Sequence, residues 1–363
     1  MTDDELSALP KVDLHCHFLG SVPVGVCVEL ARRHRVSLPV DLPTVYANIN
    51  SPARPNPIYA NTRLKVPVSD PDREPNPSYP LLEVSRWVAP LFKDRGDFAK
   101  GIHAALAESA RGSNVRYCEM FFEPTLFMAE GVPYAEIVDG LIEGIRSAKA
   151  EFGVVCRLIA GINRAQPPSV AVELVERMLA TSRPDVIGIG LEDYELSGPP
   201  EKFAEAYGLA KRGGLHRTAH SSEHAPTAQN IVTCLDVLGC ERIDHGYFVL
   251  EDEDVIARCR DQGVYFTCIF TTSRRAWRPW RRASIQAMDR AGLRITLGAD
   301  DPSMFPTTLA REYGIAQSDL GWSDAKLREI CLNGIAASWM SDNEKRTLRE
   351  EFVGKIDALK NLH

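Results

Sequence analysis

A His-x-His motif near the start of the chain has the spacing of a metal-binding pair. His15 and His17 are two residues apart in an apolar run, and side chains two apart on a β-strand point to the same face. Both imidazoles can therefore reach one metal ion, whereas Cys16 points toward the opposite face. In isolation such a motif is more often part of an ordinary core than a site, so its meaning depends on its partners.

Partners for this pair stand at the ends of other strand-like runs. His220, His245 and the consecutive Asp300 and Asp301 each end such a run. Imidazole nitrogen and carboxylate oxygen are the ligands of catalytic zinc, which keeps one coordination position for water. Adjacent side chains diverge, so we expect one of the two aspartates to bind the metal and the other to orient water. The pattern predicts a site for one Zn²⁺ ion.

Glu223 is the first candidate for proton transfer. It follows His220 by three residues, where a strand turns into its loop, so its carboxylate is expected near the metal and outside the ligand set. That position suits a proton shuttle. The alternative is an acidic residue at a helix start, favoured by the helix dipole, because Pro226 follows closely.

These residues need a scaffold that brings distant strand ends together. Short β-branched runs alternate with longer amphipathic stretches, which is the pattern of repeated βα units. The sequence predicts eight strands, at residues 12–17, 116–123, 154–160, 186–192, 217–220, 242–245, 264–270 and 294–299. We therefore predict an α/β fold, the (β/α)8 TIM barrel, because closure gathers the polar strand ends at one mouth. A doubly wound open sheet is the alternative.

An irregular segment interrupts the alternation after the first strand. Residues 51–80 contain eight prolines and show no period. We expect an insertion at about residues 40–85, which is either a surface excursion or a lid over the barrel mouth. The C-terminal segment is predicted to add helices outside the barrel, with one apolar face formed by Leu327, Ile330, Cys331 and Ile335. Residues 1–363 are expected to form a single domain.

Composition and charge narrow the class of protein. The chain has 363 residues, of which 44% are apolar and 25% charged, and its formal net charge is −7. Such an acidic protein is not expected to bind nucleic acid, and no membrane span is expected because no apolar run reaches about 18 residues. The start MTDDELSALP lacks the parts of a secretory signal. Nine scattered cysteines without a CxxC pair suit buried thiols, so we expect a cytoplasmic protein.

Four segments, in order along the chain, resemble the adenosine deaminase family of the amidohydrolase superfamily. They are PKVDLHCH at 10–17, HRTAHSSE at 216–223, RIDHG at 242–246 and ADDP at 299–302. The resemblance implies a zinc-dependent hydrolytic deaminase that removes the 6-amino group of an aminopurine and releases ammonia. The roles that it implies are zinc ligands at His15, His17, His220 and Asp300, a proton donor to purine N1 at Glu223, and groups that position and deprotonate the attacking water at His245 and Asp301.

The residues after the His-x-His motif depart from the family pattern. The family places an acid and then a glycine there, whereas this chain has Phe18, Leu19 and Gly20. Without the acid, selectivity for an unmodified ribose is not expected. We predict that Leu19 contacts the substrate, where it marks either an apolar 5′ substituent or an absent ribose.

Other segments are more similar to the adenine-deaminase-like branch of the family. The segment GLEDYE at 190–195 is the clearest case, and it supplies two predicted substrate-binding residues, Gly190 and Asp193. Asp193 is our prediction for the group that reads the purine edge. Ser222 stands where a glycine usually lets the purine approach the backbone, which can shift the ring.

An arginine-rich segment has no counterpart in the family pattern. Residues 273–282 contain five arginines and two tryptophans. Guanidinium groups bind phosphate or carboxylate through paired hydrogen bonds, so one interpretation is an anionic group on the substrate. The other is a basic, solvated helix start or a contact between subunits.

The predicted function is therefore an aminopurine deaminase, and two alternatives stay open. One is an amidase, lactonase or phosphoesterase on the same barrel, because a fold does not fix a function. Such sites often hold two metals bridged at the end of the fourth strand, where this chain offers Glu192 and Asp193 but no lysine. The other alternative is a purine-binding protein without turnover, which Leu19 and Ser222 would suit. The expected partner is a small aminopurine, with adenosine and adenine tested first.

Overall fold

Eight parallel strands follow one another around a barrel in chain order. A parallel bridge joins Cys16 to Asp300, so that the end of the last strand pairs with the first. Two backbone hydrogen bonds of 2.8 Å make this seam, from His17 N to Asp300 O and from Asp300 N to His15 O. The sheet closes on itself, which confirms the barrel and excludes the open sheet.

The computed structural model describes residues 1–38, 40–50, 63–66, 78–272 and 278–360. The barrel strands, β1 to β8 in chain order, span Lys11–His17, Val115–Phe122, Val155–Asn163, Val186–Glu192, His216–Ser221, Ile243–His245, Tyr265–Cys268 and Arg294–Leu297. All eight predicted strands are present; β3 extends three residues beyond its predicted end at residue 160, and β7 stops two residues before its predicted end at residue 270. It ends earlier because Phe270 N donates its hydrogen bond to the Glu312 carboxylate, at 2.7 Å, instead of to a neighbouring strand.

Helices surround the barrel, as expected of βα units. They are α1 to α16 at Asp3–Ala8, Phe18–Ser21, Val24–His34, Leu42–Ala47, Leu81–Val88, Arg95–Ser113, Pro124–Ala129, Tyr134–Phe152, Pro168–Ala180, Ala204–Arg212, Gln229–Thr233, Glu253–Gln262, Arg278–Arg290, Leu309–Leu320, Asp324–Ala337 and Asp342–Lys360. The predicted C-terminal helices are confirmed, and the apolar face predicted there is buried in α15. None of the helices in the described ranges combines the length and apolar character needed to cross a bilayer.

Most of the proline-rich insertion, at residues 51–62 and 67–77, lies outside the described residues. Its two ends are described and meet in a pair of two-residue strands, Ile49–Asn50 and Tyr79–Pro80. Residues 63–66 lie against the segment that follows β6, since Arg63 N donates to the Glu251 carboxylate at 3.1 Å. Helix α5 then leads from the insertion to the barrel mouth.

A buried ion pair fills part of the barrel interior. Arg242, at the start of the run that forms β6, pairs with Glu119 of β2, and both side chains are at most 1% exposed. Glu119 also accepts hydrogen bonds from Tyr117 Oη at 2.9 Å and Trp339 N at 2.6 Å. The Arg242 guanidinium lies 4.0 Å from the centroid of the Trp339 ring. This network ties the strands to the C-terminal helices.

Candidate active site

Four predicted metal ligands converge at the mouth of the barrel. Nε2 of His220 lies 3.0 Å from Nε2 of His15 and 3.1 Å from Nε2 of His17. Asp300 Oδ1 lies 3.6 Å from the His15 nitrogen and 3.3 Å from the His17 nitrogen. The strands β1 and β5 and the turn after β8 supply these atoms, so only the closed barrel assembles them.

The spacing of these atoms fits one tetrahedral ion. Ligand atoms at about 2.0–2.1 Å from a zinc ion lie roughly 3.3 Å apart, close to the observed separations. Burial and the neighbouring imidazoles of His15 and His17 hold the pKa of His220 well below its ordinary value, which keeps its lone pair available. Burial also lowers the pKa of His17, yet Asp300 and Glu192 outweigh it and raise that pKa well above its ordinary value. The cluster as a whole therefore favours a bound positive charge.

A chain of hydrogen bonds orients His15. Its Nδ1 lies 2.7 Å from Thr267 Oγ1, and the Thr267 hydroxyl donates to Asp244 Oδ1 at 2.8 Å. Because that hydroxyl has only one proton to donate, it accepts a hydrogen bond from His15 Nδ1 and leaves Nε2 free to bind a metal. Asp244 also accepts from Thr218 Oγ1 at 2.7 Å. Thr267 and Asp244 thus contact a candidate metal ligand, directly and in turn, and the sequence analysis did not identify either of them.

Glu192 contacts the Nδ1 side of His17, as Thr267 contacts the Nδ1 side of His15. Its Oε2 lies 3.2 Å from His17 Nδ1, on the side of the ring away from the other ligands. The carboxylate is 5% exposed and ends β4, the position where binuclear sites carry a bridging group. Here it contacts the back of a ligand ring. The arrangement is that of a carboxylate that orients a metal-binding histidine.

The loop after β5 carries Glu223 into the same cavity and is held by a second carboxylate. Glu195 accepts backbone hydrogen bonds from Ser222, Glu223, His224 and Ala225 at 2.6 to 2.9 Å. Successive N–H groups that converge in this way form a nest for an anion. Glu195 is 3% exposed, so the nest is shielded from water. Sequence reasoning missed Glu195, although it lies in the quoted GLEDYE segment.

Glu223 faces His245 across the cavity. Glu223 Oε2 lies 3.4 Å from His245 Nε2 and 3.1 Å from His224 Nδ1, and Oε1 lies 3.2 Å from Arg281 Nη2. Burial raises the pKa of Glu223, but His224 and Arg281 outweigh it and lower that pKa below its ordinary value. Burial and the nearby rings of His15 and His220 lower the pKa of His245 well below its ordinary value.

Of the two adjacent aspartates, Asp300 belongs to the cluster of candidate metal ligands and Asp301 does not. Asp300 Oδ1 joins the three imidazole nitrogens, whereas Asp301 lines the cavity beside them. Burial and the charge of Asp300 raise the pKa of Asp301 well above its ordinary value. Asp301 packs directly on Gly20, where any side chain would overlap its carboxylate.

The cavity in front of these groups has one largely apolar side and one acidic side. Helices α2, α5 and α7 and strand β2 supply its apolar residues, which include Leu19, Leu81, Leu82, Leu126, Phe121 and Phe127. The acidic side holds Asp193, which was predicted, and Glu123, which was not. Asn163 Nδ2 donates to both carboxylates at 2.9 Å and so fixes them relative to each other. Burial and the neighbouring Glu192 raise the pKa of Glu123 to about 8.

The remaining predicted substrate residues take different positions. Gly190 lies within β4, where an added Cβ would be 2.3 Å from the Phe121 ring, and it is not among the residues that line the cavity. The Phe121 ring in turn stacks on the imidazole of His17, with centroids 5.0 Å apart. Ser222 is buried and donates its hydroxyl to Thr227 O at 2.7 Å instead of lining the cavity.

The arginine-rich segment is described only from residue 278 onward, and residues 273–277 lie outside the described residues. Arg282 pairs with Asp319 at 3.1 Å near the surface. Arg281 is 1% exposed and contacts Glu223, so this arginine is neither solvated nor part of the cavity lining.

Comparisons with known proteins agree with this geometry. The family model described as adenosine deaminase matches residues 81–355. An adenine deaminase from Streptomyces coelicolor is 32% identical over 360 residues, which cover 98% of this chain and 97% of that protein.

Two solved structures resemble the whole barrel. An amidohydrolase from Burkholderia ambifaria with bound Zn is 28% identical, with a TM-score of 0.86 over 99% of this chain and 94% of its own. An adenine deaminase from Arthrobacter aurescens is 27% identical, with a TM-score of 0.81 over 96% of this chain and 99% of its own. With the family model covering most of the sequence, this chain belongs to the adenosine deaminase family.

Proposed function

We propose that this protein is a hydrolytic deaminase that contains one zinc ion and removes the 6-amino group of adenine as ammonia. One observation carries the proposal: the metal-ligand cluster, Glu223 and Asp301 all border the same cavity. The largely apolar side of that cavity suits the faces of a flat heterocycle. Its few polar groups can read the edge of the ring.

Zinc is the metal that the donor set fits best. His15, His17, His220 and Asp300 would hold it, and three imidazoles with one carboxylate are typical zinc ligands. A bound zinc ion would supply a nucleophile at neutral pH by acidifying water. Glu192 contacts the back of His17, at 3.2 Å from Nδ1, and does not reach across to a second metal, which supports a single ion.

The protein's own residues would then move protons and orient the reactants. Glu223 lines the cavity. Because its lowered pKa makes it a carboxylate in the free protein, it first receives a proton from His245 and then donates that proton to ring nitrogen N1, which makes C6 more electrophilic. His245 and Asp301 hold the attacking water and accept its proton. Because Glu223 and His245 face each other at 3.4 Å, a proton can pass between them during turnover.

The free base is proposed as substrate because of the apolar side near Leu19. Leu19, Leu81 and Leu82 are among the residues that line the cavity, and Leu19 stands where the family places an acid, so position 19 offers no carboxylate to ribose hydroxyls. The adenine deaminases among the relatives support the same substrate. An apolar 5′ substituent on a nucleoside is the second possibility that Leu19 permits.

A cytoplasmic location is part of the proposal, since all nine cysteines are unpaired and buried, as suits a reducing compartment.

The test is ammonia release and ultraviolet change on a panel of adenine, adenosine and 5′-deoxy-5′-thio adenosine analogues. We expect the zinc-loaded protein to prefer adenine. A clear preference for adenosine would contradict the proposal that the free base, adenine, is the substrate. No turnover on any aminopurine would contradict deamination itself.

Metal analysis and one variant separate the alternatives. We expect one zinc ion per chain, whereas two ions would favour a binuclear amidase or lactonase. Glu223→Gln should keep its zinc and lose nearly all of its rate. Tight binding of adenine to the wild type without conversion would favour a purine-binding protein.

A further inference from the structure

Four side chains form a closed ring of polar contacts behind the cavity. Glu223 Oε1 lies 3.2 Å from Arg281 Nη2, and Arg281 Nη1 donates to Tyr247 Oη at 3.1 Å. Tyr247 Oη lies 3.1 Å from His245 Nδ1, and His245 Nε2 lies 3.4 Å from Glu223 Oε2, which completes the ring. All four residues are buried, with at most 7% exposure.

Arg281 differs from the other three members of this ring because it does not lie at or just after the end of a barrel strand. It belongs to α13, whose start contains the end of the arginine-rich segment, and its guanidinium also lies 4.2 Å from the centroid of the Tyr247 ring. Glu223 and His245 line the cavity, but Arg281 does not. The arginine therefore lies behind the two groups that face the substrate.

The contacts of Arg281 use the particular shape of a guanidinium group. One terminal nitrogen binds a carboxylate and the other binds a hydroxyl, while the flat face covers an aromatic ring. A planar fork with fixed donors can do this, and the single ammonium group of lysine cannot. A buried arginine without such partners would be strongly unfavourable, so these contacts fix the side chain in one position.

We propose that Arg281 is a positioning residue, which holds Glu223 and, through Tyr247, His245 in their working orientation. This inference rests on the proposed function, because Glu223 and His245 are the groups assigned to proton transfer. It gives a role to one arginine of the segment that family resemblance left unexplained. It also differs from anion recognition, in which Arg281 would contact a charged substituent of the substrate.

The experiment compares Arg281→Met with Arg282→Met in the zinc-loaded protein. Arg282 is the next residue of the same helix and pairs with Asp319 at 3.1 Å, so its replacement removes an arginine without touching the ring. For Arg281→Met we expect kcat for adenine to fall about 10- to 100-fold, as for other residues that support a catalytic group, with KM and zinc content nearly unchanged. Arg282→Met should behave like the wild type. Equal rates for all three proteins would overturn the inference and leave the proposed function intact.

A double-mutant cycle tests whether Arg281 acts through Glu223. If it does, adding Arg281→Met to Glu223→Gln should cost little further rate, because the group being positioned is already disabled. Multiplying losses would overturn the inference. So would a loss in Arg281→Met that is confined to adenosine 5′-monophosphate, since that result would mean that the arginine binds an anionic substituent.

Crystal structures of the two zinc-loaded variants give a readout that does not need turnover. We expect the Glu223 carboxylate to leave its position in Arg281→Met and to keep it in Arg282→Met. An unmoved Glu223 in Arg281→Met would overturn the inference even if no aminopurine were a substrate. Absence of turnover in the wild type, in contrast, would count only against the proposed function.

Discussion

Replacing Gly20 with alanine should disable the site without unfolding the barrel. Gly20 lies in α2, directly after the His-x-His motif, and a Cβ added there would be 1.9 Å from Asp301 Oδ1 and 2.5 Å from Asp301 Cγ. Such contacts do not occur below 3.0 Å, so the carboxylate would have to retreat by more than 1 Å. Asp301 is the group that we expect to hold the attacking water.

The backbone cannot absorb this clash cheaply. Gly20 O accepts hydrogen bonds from Ser303 N at 2.8 Å and from Met304 N at 3.3 Å, which tie α2 to the turn after β8. Misplacing a reacting group by about 1 Å can cost roughly 100-fold in rate. We therefore expect Gly20→Ala to lower kcat about 100-fold. Zinc content should stay near one ion per chain because the three atoms nearest to the added methyl group all belong to Asp301, which is outside the ligand set.

Gly25→Ala is the matched control. Gly25 lies in α3, and no atom lies within 4 Å of a Cβ built there. Alanine in place of a helical glycine is expected to stabilise the protein by about 0.5–1 kcal/mol and to leave kcat unchanged. The assay is adenine turnover with metal analysis and thermal unfolding on the same samples. Wild-type kcat in Gly20→Ala would refute the assignment of Asp301 to the water, provided that the variant is folded and holds zinc.

Three further predictions concern stability, pH and metal. Arg242→Met leaves the charge of Glu119 buried without its partner, so the free energy of unfolding should fall by about 3–5 kcal/mol in urea titrations; a loss below about 1 kcal/mol would be inconsistent with a buried pair. Burial and Glu192 raise the pKa of Glu123 to about 8 from 4.5, so the folded protein holds a proton that the unfolded chain releases. The free energy of unfolding should therefore fall as pH rises from about 4.5 to 8, by up to about 1.4 kcal/mol per pH unit. Glu123→Gln should lack that dependence when wild type and variant are unfolded at pH 5 and pH 8. The same change in the free energy of unfolding for both proteins would contradict the shifted pKa. Removal of the metal with a chelator should abolish turnover and lower the melting temperature, and zinc should restore both, because a ligand that binds only the folded state stabilises it; a metal-free protein with full activity would refute the metal site.

The barrel and the ligand set could be predicted because they leave local signals. Strand β4 was predicted at its observed bounds, Val186–Glu192, since both faces of a barrel strand are buried and its sequence is continuously apolar. The ligands lie at strand ends, so once the strands are placed in order the closed topology brings His15, His220 and Asp300 together. The proline-rich insertion, interpreted as either a surface excursion or a lid, falls largely on residues outside the described ranges.

The supporting residues could not be predicted because their contacts join distant parts of the chain. Arg281 reaches Glu223 across 58 positions, and His15 reaches Thr267 across 252. Neither contact leaves a trace in the hydrophobic periodicity or in the turn motifs from which secondary structure is predicted. The arginine-rich segment was visible as composition, but composition does not tell whether an arginine is solvated, binds an anion or is buried against a carboxylate.

Backbone conformation at the strand ends shows why the site needs the whole fold. Among the described residues, six that are not glycine have positive φ, and four of them lie at the site: Asp193, Ser222, His245 and Asp300. The other two end helices, where a left-handed residue is common. Aspartate and histidine tolerate this region better than most residues, but each such position still costs about 1–3 kcal/mol.

Tertiary contacts hold these residues in place. The backbone of Asp300 is fixed by the two hydrogen bonds that close the barrel, and Ser222 N by the Glu195 carboxylate at 2.6 Å. A left-handed residue turns the chain sharply out of the strand, which lets the side chains at the strand end face the cavity while the backbone leaves it. Local sequence preferences do not select this turn at a serine. The contacts that complete the barrel therefore also impose the geometry of the site, and a weakened seam between β1 and β8 would disturb the metal ligands before it unfolded the protein.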